Sequence, residues 1–263
     1  MRTFRSIRHH ALLLGIGFLN LHTLAVPAQQ TTPQGTNAYA LLSQLTAAFS
    51  RGQLVQQVQL SGTATWYAGS QEDSGSVNLT ASTDGSSQMQ LSLDHTGQRT
   101  ETETGVGSSA VCQWAGPDGV AHQADARNCW KPALWFLPAM SLQSSRLSTY
   151  LGLTDLGSGT VGNSPSIYRH LQGRLIFNSF SAAHTADIAR ESTTDFGLDP
   201  VSLLPSVLAY SVHPDNGAAT TIAIEIHYSD YRLVDRVQIP FHIQRYVNGA
   251  LQLDIVVRSA QVN

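Results

Sequence analysis

The residues of this chain that could carry out chemistry are scattered and show no spacing typical of a catalytic centre. Gly105 to Ser109 is a Gly/Ser turn rather than a nucleophile elbow, and no glycine-rich phosphate loop is present. Seven histidines follow the first 28 residues, without the His-x-His or His-Glu-x-x-His spacing of metal sites: His95, His122, His170, His184, His213, His227 and His242. We therefore predict a protein that is not an enzyme, with no catalytic residue, no metal and no cofactor.

A pair of histidines and a set of carboxylates leave a metal site and a hydrolase as alternatives. His227 and His242 could face each other across neighbouring strands, and a polar cross-strand pair is the preferred interpretation over a metal site. Carboxylates that act as acid and base need not be close in sequence. A secreted hydrolase therefore stays as a minor alternative, drawing on Glu101, Glu103, Asp187, Glu191 and Asp195.

Cys112 and Cys129 are the two cysteines. An even count in an exported chain favours a disulfide, and the segment between them carries strong turn signals from Gly116 to Gly119. We predict a hairpin or long loop closed at its base, with a stabilisation of about 3 kcal/mol. A pair of free or metal-binding thiols is the alternative.

The first 28 residues read as a signal peptide. Arg2, Arg5 and Arg8 precede a largely apolar stretch from Ala11 to Leu24, and small residues flank Pro27 at a possible cleavage site near Ala28. The stretch is short for a bilayer about 30 Å thick, although an uncleaved anchor is the alternative. We predict a periplasmic or secreted protein without a stable membrane span, and a single domain over 29–263.

Charge argues against nucleic acid as a partner. The chain carries a formal net charge of −3, and removal of three arginines and no acids with the leader gives −6. Lys131 is the only lysine, so no basic surface is available to neutralise phosphates.

The hydrophobic pattern predicts one helix followed by many strands. Leu41, Leu45 and Phe49 lie on one helical face, and Gly52 stands where a helix end favours positive φ. Apolar residues then alternate in three strands over 58–66, 77–81 and 89–93, with polar turns at 69–75 and at Asp84-Gly85. Such a meander buries one face and leaves the other in water.

The middle of the chain is less regular. Prolines at 132 and 138 interrupt the apolar stretch 130–138, which we interpret as a loop covering the core, with a helix over 142–151. A lid exposing Trp130, Trp135 and Phe136 to a ligand is the alternative. Further strands are expected at 167–171, 175–180 and 184–191.

The last third gives the clearest strand signal. Apolar residues alternate over 222–228, 237–243 and 251–257, and Asn248-Gly249 favours a type I′ hairpin turn. This part resembles bacterial outer-membrane lipoprotein-sorting proteins, the LolA/LolB-like lipoprotein carriers. The likeness lies in the YSDYR run at 228–232, the Val-Asp and Ile-Pro-Phe segments that follow, and the turn from Asp199-Pro200 to Leu204-Pro205. Arg236 departs from that pattern, where a turn glycine is usual.

The resemblance implies a mainly β (α+β) fold, in which a curved antiparallel sheet forms an unclosed half-barrel and helices cover its open side. It also implies a cavity for a lipid, an acyl chain or a lipidated protein. A structural or protein-interaction module with a filled barrel is the alternative function. The residues predicted to line the cavity are Leu79, Leu91, Trp130, Trp135, Phe136, Ile224 and Phe241.

Overall fold

The computed structural model describes residues 34–105, 110–130, 135–146, 151–176, 182–214 and 220–263. These residues belong to one compact unit, Thr32–Asn263, whereas the predicted signal peptide lies outside the described part of the chain. The helices are α1 (Gln34–Ser50), α2 (Pro138–Arg146) and α3 (Ala182–Glu191), with a short 3-10 helix at Asn128–Trp130. The strands are β1 (Gln57–Ala68), β2 (Gln71–Ser82), β3 (Ser87–Leu93), β4 (Gly97–Thr104), β5 (Val111–Ala115), β6 (Ala121–Gln123), β7 (Leu151–Gly159), β8 (Tyr168–Leu175), β9 (Thr194–Leu198), β10 (Pro205–Val212), β11 (Ile222–Val234), β12 (Val237–Val247) and β13 (Ala250–Val262).

All of these strands belong to one antiparallel sheet. Its order is β6-β5-β4-β3-β2-β1-β13-β12-β11-β10-β9-β8-β7, so the first and last long strands pair at its centre. The short β6 forms one edge and β7 the other, and a register shift between Asp155 and Gly157 marks a bulge in β7. The predicted mainly β fold with an unclosed sheet is confirmed. No helix within the described ranges is long and apolar enough to cross a membrane.

Helix α1 covers the apolar side of the sheet. Leu42, Leu45 and Phe49 are almost completely buried and join a core that includes Ile243 and Ile255. The helix contacts β7, β12 and α2, and so fills much of the space inside the curve. It ends in two residues with positive φ, and the second is the predicted Gly52 (φ 80°).

Two tight turns fix the register of the C-terminal strands. Asn248 and Gly249 have φ values of 49° and 79°, and Val247 pairs with Ala250, which agrees with the predicted type I′ turn. Asp235 and Arg236 connect β11 to β12 in the same manner, with φ values of 45° and 70°. Arg236 thus adopts a left-handed conformation that glycine would occupy more easily.

The segment 184–191, predicted as a strand, belongs to helix α3. Alanine-rich sequence favours the helix, and Asp187 and Arg190 form an ion pair one turn apart at 2.9 Å. Ile188 is 2% exposed and packs with Leu175 and Trp130 in a small second core. Ile188 is the one large apolar residue of the segment, and one residue cannot distinguish the two-residue repeat of a strand from the 3.6-residue repeat of a helix.

Other boundaries also differ from the prediction. Helix α2 was predicted over 142–151, but it begins at Pro138 and ends at Arg146. Its start at a proline is favourable, because the missing N–H of proline has no partner in the first helical turn anyway. The polar segment 69–75 is mostly strand, since Ala68 pairs with Gln71 and only Gly69 and Ser70 form the turn. Strand β8 is continuous to Leu175, and 177–180 lie outside the described residues. Strands β4 and β7 were not predicted, whereas β5 and β6 form the hairpin that was expected between the cysteines.

The predicted disulfide is confirmed. Cys112 on β5 and Cys129 in the 3-10 helix are bonded, with their Cα atoms 5.5 Å apart. Strand β6 returns antiparallel to β5 after a turn that contains Gly119 in a left-handed conformation (φ 71°). The bond therefore closes a hairpin and its following turn at one edge of the sheet.

Candidate ligand-binding site

Strand β4 presents charged side chains to the core side of the sheet. Arg99 lies opposite Leu91, and Glu101 lies opposite Met89. Directly paired residues of antiparallel strands share a face, and Leu91 and Met89 are each 1% exposed. Glu103 follows on the same face two residues later. Three ionisable groups therefore point toward the interior.

Arg245 meets these groups from the other half of the sheet. It continues the inward phase of Phe241 and Ile243 along β12 and is 8% exposed. Its two terminal nitrogens each donate a hydrogen bond of 2.9 Å to a carboxylate oxygen of Glu101. Strands β12 and β4 are five positions apart in the sheet, so this contact requires the sheet to curl back toward itself.

Aromatic rings surround the two guanidinium groups. Arg99 lies 4.8 Å from the centroid of the Trp66 ring, and Arg245 lies 4.9 Å from that of Trp135 and 5.8 Å from that of Trp66. The electron-rich ring faces attract a cation that has lost part of its water. Trp135 is held in place because the hydroxyl of Tyr228 donates a hydrogen bond to its carbonyl oxygen.

A cavity of about 440 Å³ lies among these side chains. This volume is within the range of small-molecule sites, roughly 300 to 1,000 Å³. Its apolar wall comes from both arms of the sheet and the segment before α2: Met89, Trp135, Phe136, Val212, Ile222 and Ile224. Its polar wall is formed by Arg99, Glu101, Glu103, Gln113, Arg245 and Gln252. The cavity can therefore hold a molecule with an apolar body and a polar group.

Burial controls the protonation of the polar wall. Loss of hydration raises the pKa of the Glu103 carboxyl to about 9, so that this group is neutral at pH 7. Burial would lower the pKa of Arg245, but the charge of Glu101 and its hydrogen bonds outweigh burial and raise that pKa. Burial likewise raises the pKa of the Tyr210 hydroxyl. The wall thus combines two cations, one carboxylate and one neutral acid.

Two hydrogen-bond donors in this wall are unused. The Nε atoms of Arg99 and Arg245 are buried and have no acceptor among the residues that the structure describes. Within those residues Arg99 also has no carboxylate partner, and its charge interacts with the face of the Trp66 ring. Buried donors normally have a partner, so these two atoms indicate where an acceptor would bind.

The structure brings together three of the residues predicted to line a cavity. Trp135, Phe136 and Ile224 all contact the 440 Å³ cavity. The other four are elsewhere: Leu79, Leu91 and Phe241 are in the packed core, and Trp130 packs on the second core of Leu175 and Ile188.

The histidines that the structure describes contact separate partners rather than one another. His227 lies opposite Gln244, and Ser229 lies opposite His242, so the expected direct pairing of the two histidines is wrong. Five of the described histidines instead contact a carboxylate each: His95 with Asp73, His170 with Asp195, His213 with Glu191, His227 with Glu225 and His242 with Asp254. Within the described ranges, no three side chains of His, Cys, Asp or Glu are grouped to hold a metal ion.

Sequence reasoning missed the two arginines of the site, and it named Glu101 and Glu103 only as carboxylates of the hydrolase alternative. Arg245 is the next residue in phase after Ile243, and an arginine on an apolar strand face is the signal that marks it. The same signal was weaker in β4, because its inward positions are all polar and no apolar alternation identifies it as a strand.

No family model matches the sequence, and no curated protein matches it. Solved structures of other proteins are similar in fold, and three of them show the likeness. A DUF1329 family protein from Desulfovibrio piger has a TM-score of 0.55 and 10% identity, covering 88% of this chain and 94% of the other. A putative outer membrane lipoprotein-sorting protein domain from Vibrio parahaemolyticus has a TM-score of 0.52 and 8% identity, with 87% and 93% covered. A LolA superfamily protein from Nitrosomonas europaea has a TM-score of 0.50 and 9% identity, with 86% and 93% covered. The chain therefore has the lipoprotein-sorting-like fold that its C-terminal motifs predicted.

Proposed function

We propose that this chain is an exported, non-enzymatic binding protein that holds a lipid, an acyl chain or a lipidated protein in its half-barrel. The observation that carries the proposal is the cavity of about 440 Å³, whose walls come from both arms of the sheet. Trp135, Phe136 and Ile224 give it an apolar wall suited to a hydrocarbon chain.

Two of the similar structures support this class of ligand. One is described as a putative outer membrane lipoprotein-sorting protein and the other as a LolA superfamily protein. From the first description we take only the general class of ligand, a lipid-bearing molecule, and no particular one. The disulfide supports export, because such bonds persist in oxidising compartments.

Binding would be driven by burial of the chain. Each methylene group removed from water contributes about 0.8 kcal/mol. Asn128 and Trp135 belong to the wall of the cavity, and both have defined attachments. The Asn128 side chain exchanges two hydrogen bonds with the His213 backbone at 2.7 and 2.9 Å, and Tyr228 holds the carbonyl of Trp135. A movement of this wall that released the ligand would break these contacts.

The test is native mass spectrometry of the protein purified from its own periplasm, followed by organic extraction. We expect a lipid or acyl-bearing species at close to one molecule per protein. Protein that carries nothing and also fails to take up a fluorescent fatty acid would overturn the proposal, and would favour the protein-interaction module.

A matched pair of variants locates the bound species. Ile224→Trp adds bulk inside the cavity, and Val256→Trp introduces the same side chain on β13, at a position that is 39% exposed. We expect the first variant to lose most of the bound species and the second to keep it. Thermal unfolding of both variants shows whether the fold is retained. Equal retention by the two would place the ligand outside this cavity.

A further inference from the structure

The polar wall of the cavity carries one positive charge that no described residue compensates. Arg99 and Arg245 supply two cations, and Glu101 neutralises one of them through its two hydrogen bonds to Arg245. Glu103 adds no negative charge at pH 7, because burial raises the pKa of its carboxyl to about 9. The remaining charge lies next to the Trp66 ring, which attracts a cation but accepts no ordinary hydrogen bond from Nε.

The unused donors agree with this charge balance. The Arg245 side chain is 9% exposed and its Nε is buried without an acceptor, while both of its terminal nitrogens are engaged by Glu101. The Nε of Arg99 is buried and unpaired in the same cavity wall. A buried guanidinium with an open N–H is well suited to an oxyanion, which accepts charge-assisted hydrogen bonds. Both donors would be satisfied by a ligand, because the chain provides no acceptor among its described residues.

We propose that the ligand of this cavity is an anionic amphiphile, whose single carboxylate or phosphate group binds Arg99 and the Nε of Arg245 while its alkyl chain lies on Trp135, Phe136 and Ile224. This inference rests on the proposed binding function and specifies the headgroup of its ligand. A carboxylate supplies the one negative charge that neutralises the one excess positive charge, and a phosphate monoester, with about −1.5 to −2 charges at pH 7, supplies it in excess. The neutral carboxyl of Glu103 lies beside this headgroup as a hydrogen-bond donor, whereas an ionised carboxylate would repel it.

The experiment measures the affinity of the delipidated, disulfide-bonded protein for three probes with the same chain, by isothermal titration calorimetry at pH 7. The probes are decanoate, decyl phosphate and decanol. We expect the protein to bind at least one of the two anions about tenfold or more tightly than decanol, as a charge-assisted pair in a buried site requires. The tighter of the two anions identifies the headgroup as carboxylate or phosphate.

Substitution of Arg99 separates charge from chain burial. Arg99→Met keeps an apolar stem of similar length, and its strand loses no ion pair within the described residues. We expect decanol affinity to stay within about twofold and anion affinity to fall about tenfold. Arg258→Met is the matched control, because it removes the same charge from an exposed position of β13. That variant should bind all three probes as the unmodified protein does.

The outcomes separate this inference from the proposed function. Equal affinity for decanol and both anions in the unmodified protein overturns the anionic headgroup and leaves the proposed function intact. An equal loss of anion affinity in the Arg99 and Arg258 variants overturns it as well, since a remote charge would then be sufficient. Failure of all three probes to bind argues against the proposed function itself.

Discussion

Arg245 and Glu101 are 144 residues apart in sequence and five strands apart in the sheet, yet two hydrogen bonds of 2.9 Å join their side chains. The pair connects one arm of the half-barrel to the other across the cavity. Because Arg245 is buried and Glu101 is only partly so, the arginine depends on this carboxylate for its charge balance.

Removal of that carboxylate should destabilise the fold. Glu101→Gln leaves a buried guanidinium without its counter-charge, and we expect the free energy of unfolding to fall by about 2 kcal/mol, less than for a fully buried pair. Urea unfolding at pH 7 measures this change. Asp230→Asn breaks an exposed pair with Arg232 and should lower stability by about 0.5 kcal/mol at most. Equal effects of the two substitutions would contradict a structural role for the Arg245–Glu101 pair.

The neutral state of Glu103 predicts an unusual pH dependence. Its carboxyl has an ordinary pKa of 4.5 in the unfolded chain and about 9 in the folded protein. Between these values the folded protein holds a proton that the unfolded chain has released, so its contribution to stability decreases as pH rises from 4.5 to 9 and then levels off. The charged or titratable groups around it in the cavity wall are Arg99, Glu101, Tyr210 and Arg245.

Glu103→Gln removes this dependence. We expect the stability advantage of the variant to grow by up to about 1.4 kcal/mol per pH unit between pH 4.5 and pH 8, and to be smallest at pH 4.5. Chemical unfolding across that pH range, with the two proteins side by side, provides the measurement. Glu72→Gln makes the same change at an exposed position of β2 and should reproduce the pH profile of the unmodified protein. A constant difference between the Glu103 variant and the unmodified protein at all pH values would argue against a shifted Glu103.

The turn between β11 and β12 contains a strained backbone conformation at Arg236, which a substitution can relieve. Arg236 has a φ of 70°, in the region where a side chain is disfavoured and glycine is not. Arg236→Gly should raise the free energy of unfolding by about 1 kcal/mol. Arg236→Ala removes the same charge but keeps a Cβ atom, so it should give no such gain. If both variants are stabilised equally, the effect comes from charge rather than from backbone conformation.

Reduction of the disulfide should weaken both stability and binding. The bond joins residues separated by 17 positions, and its loss costs about 3 kcal/mol in the chain-entropy model. Cys112 and its neighbour Gln113 also contribute to the wall of the cavity. We expect reduced protein to unfold at lower urea concentration and to bind a fluorescent fatty acid more weakly. An unchanged unfolding midpoint after verified reduction would contradict this role.

Much of the fold could be predicted from local patterns. Alternation in β1 to β3 and β11 to β13 determines which side chains face the core, and a slip of one residue would expose all of them. The turn at Asn248-Gly249 and the face of α1 follow from equally local rules. Helix α3 was missed because the segment has a single buried apolar residue, Ile188, and no periodicity can be determined from one residue.

The candidate site was only partly predictable. Seven apolar residues were predicted to line a cavity, and of these only Trp135, Phe136 and Ile224 contact the one described here. The Arg245–Glu101 contact depends on how far the sheet curls, which is the sum of small twists over many strands and is not encoded in any local pattern. Strand β4 was not recognised for the related reason that its inward face is charged.

An open sheet has two edges with unpaired backbone groups, each of which can act as a template for aggregation. Here β6 has only three residues, and the bulge between Asp155 and Gly157 breaks the regular ladder of β7. Neither edge offers a long flat row of donors and acceptors to a strand from another molecule. The sheet can therefore stay unclosed without a described edge that favours pairing with further copies of the chain, a protection that a closed barrel does not need.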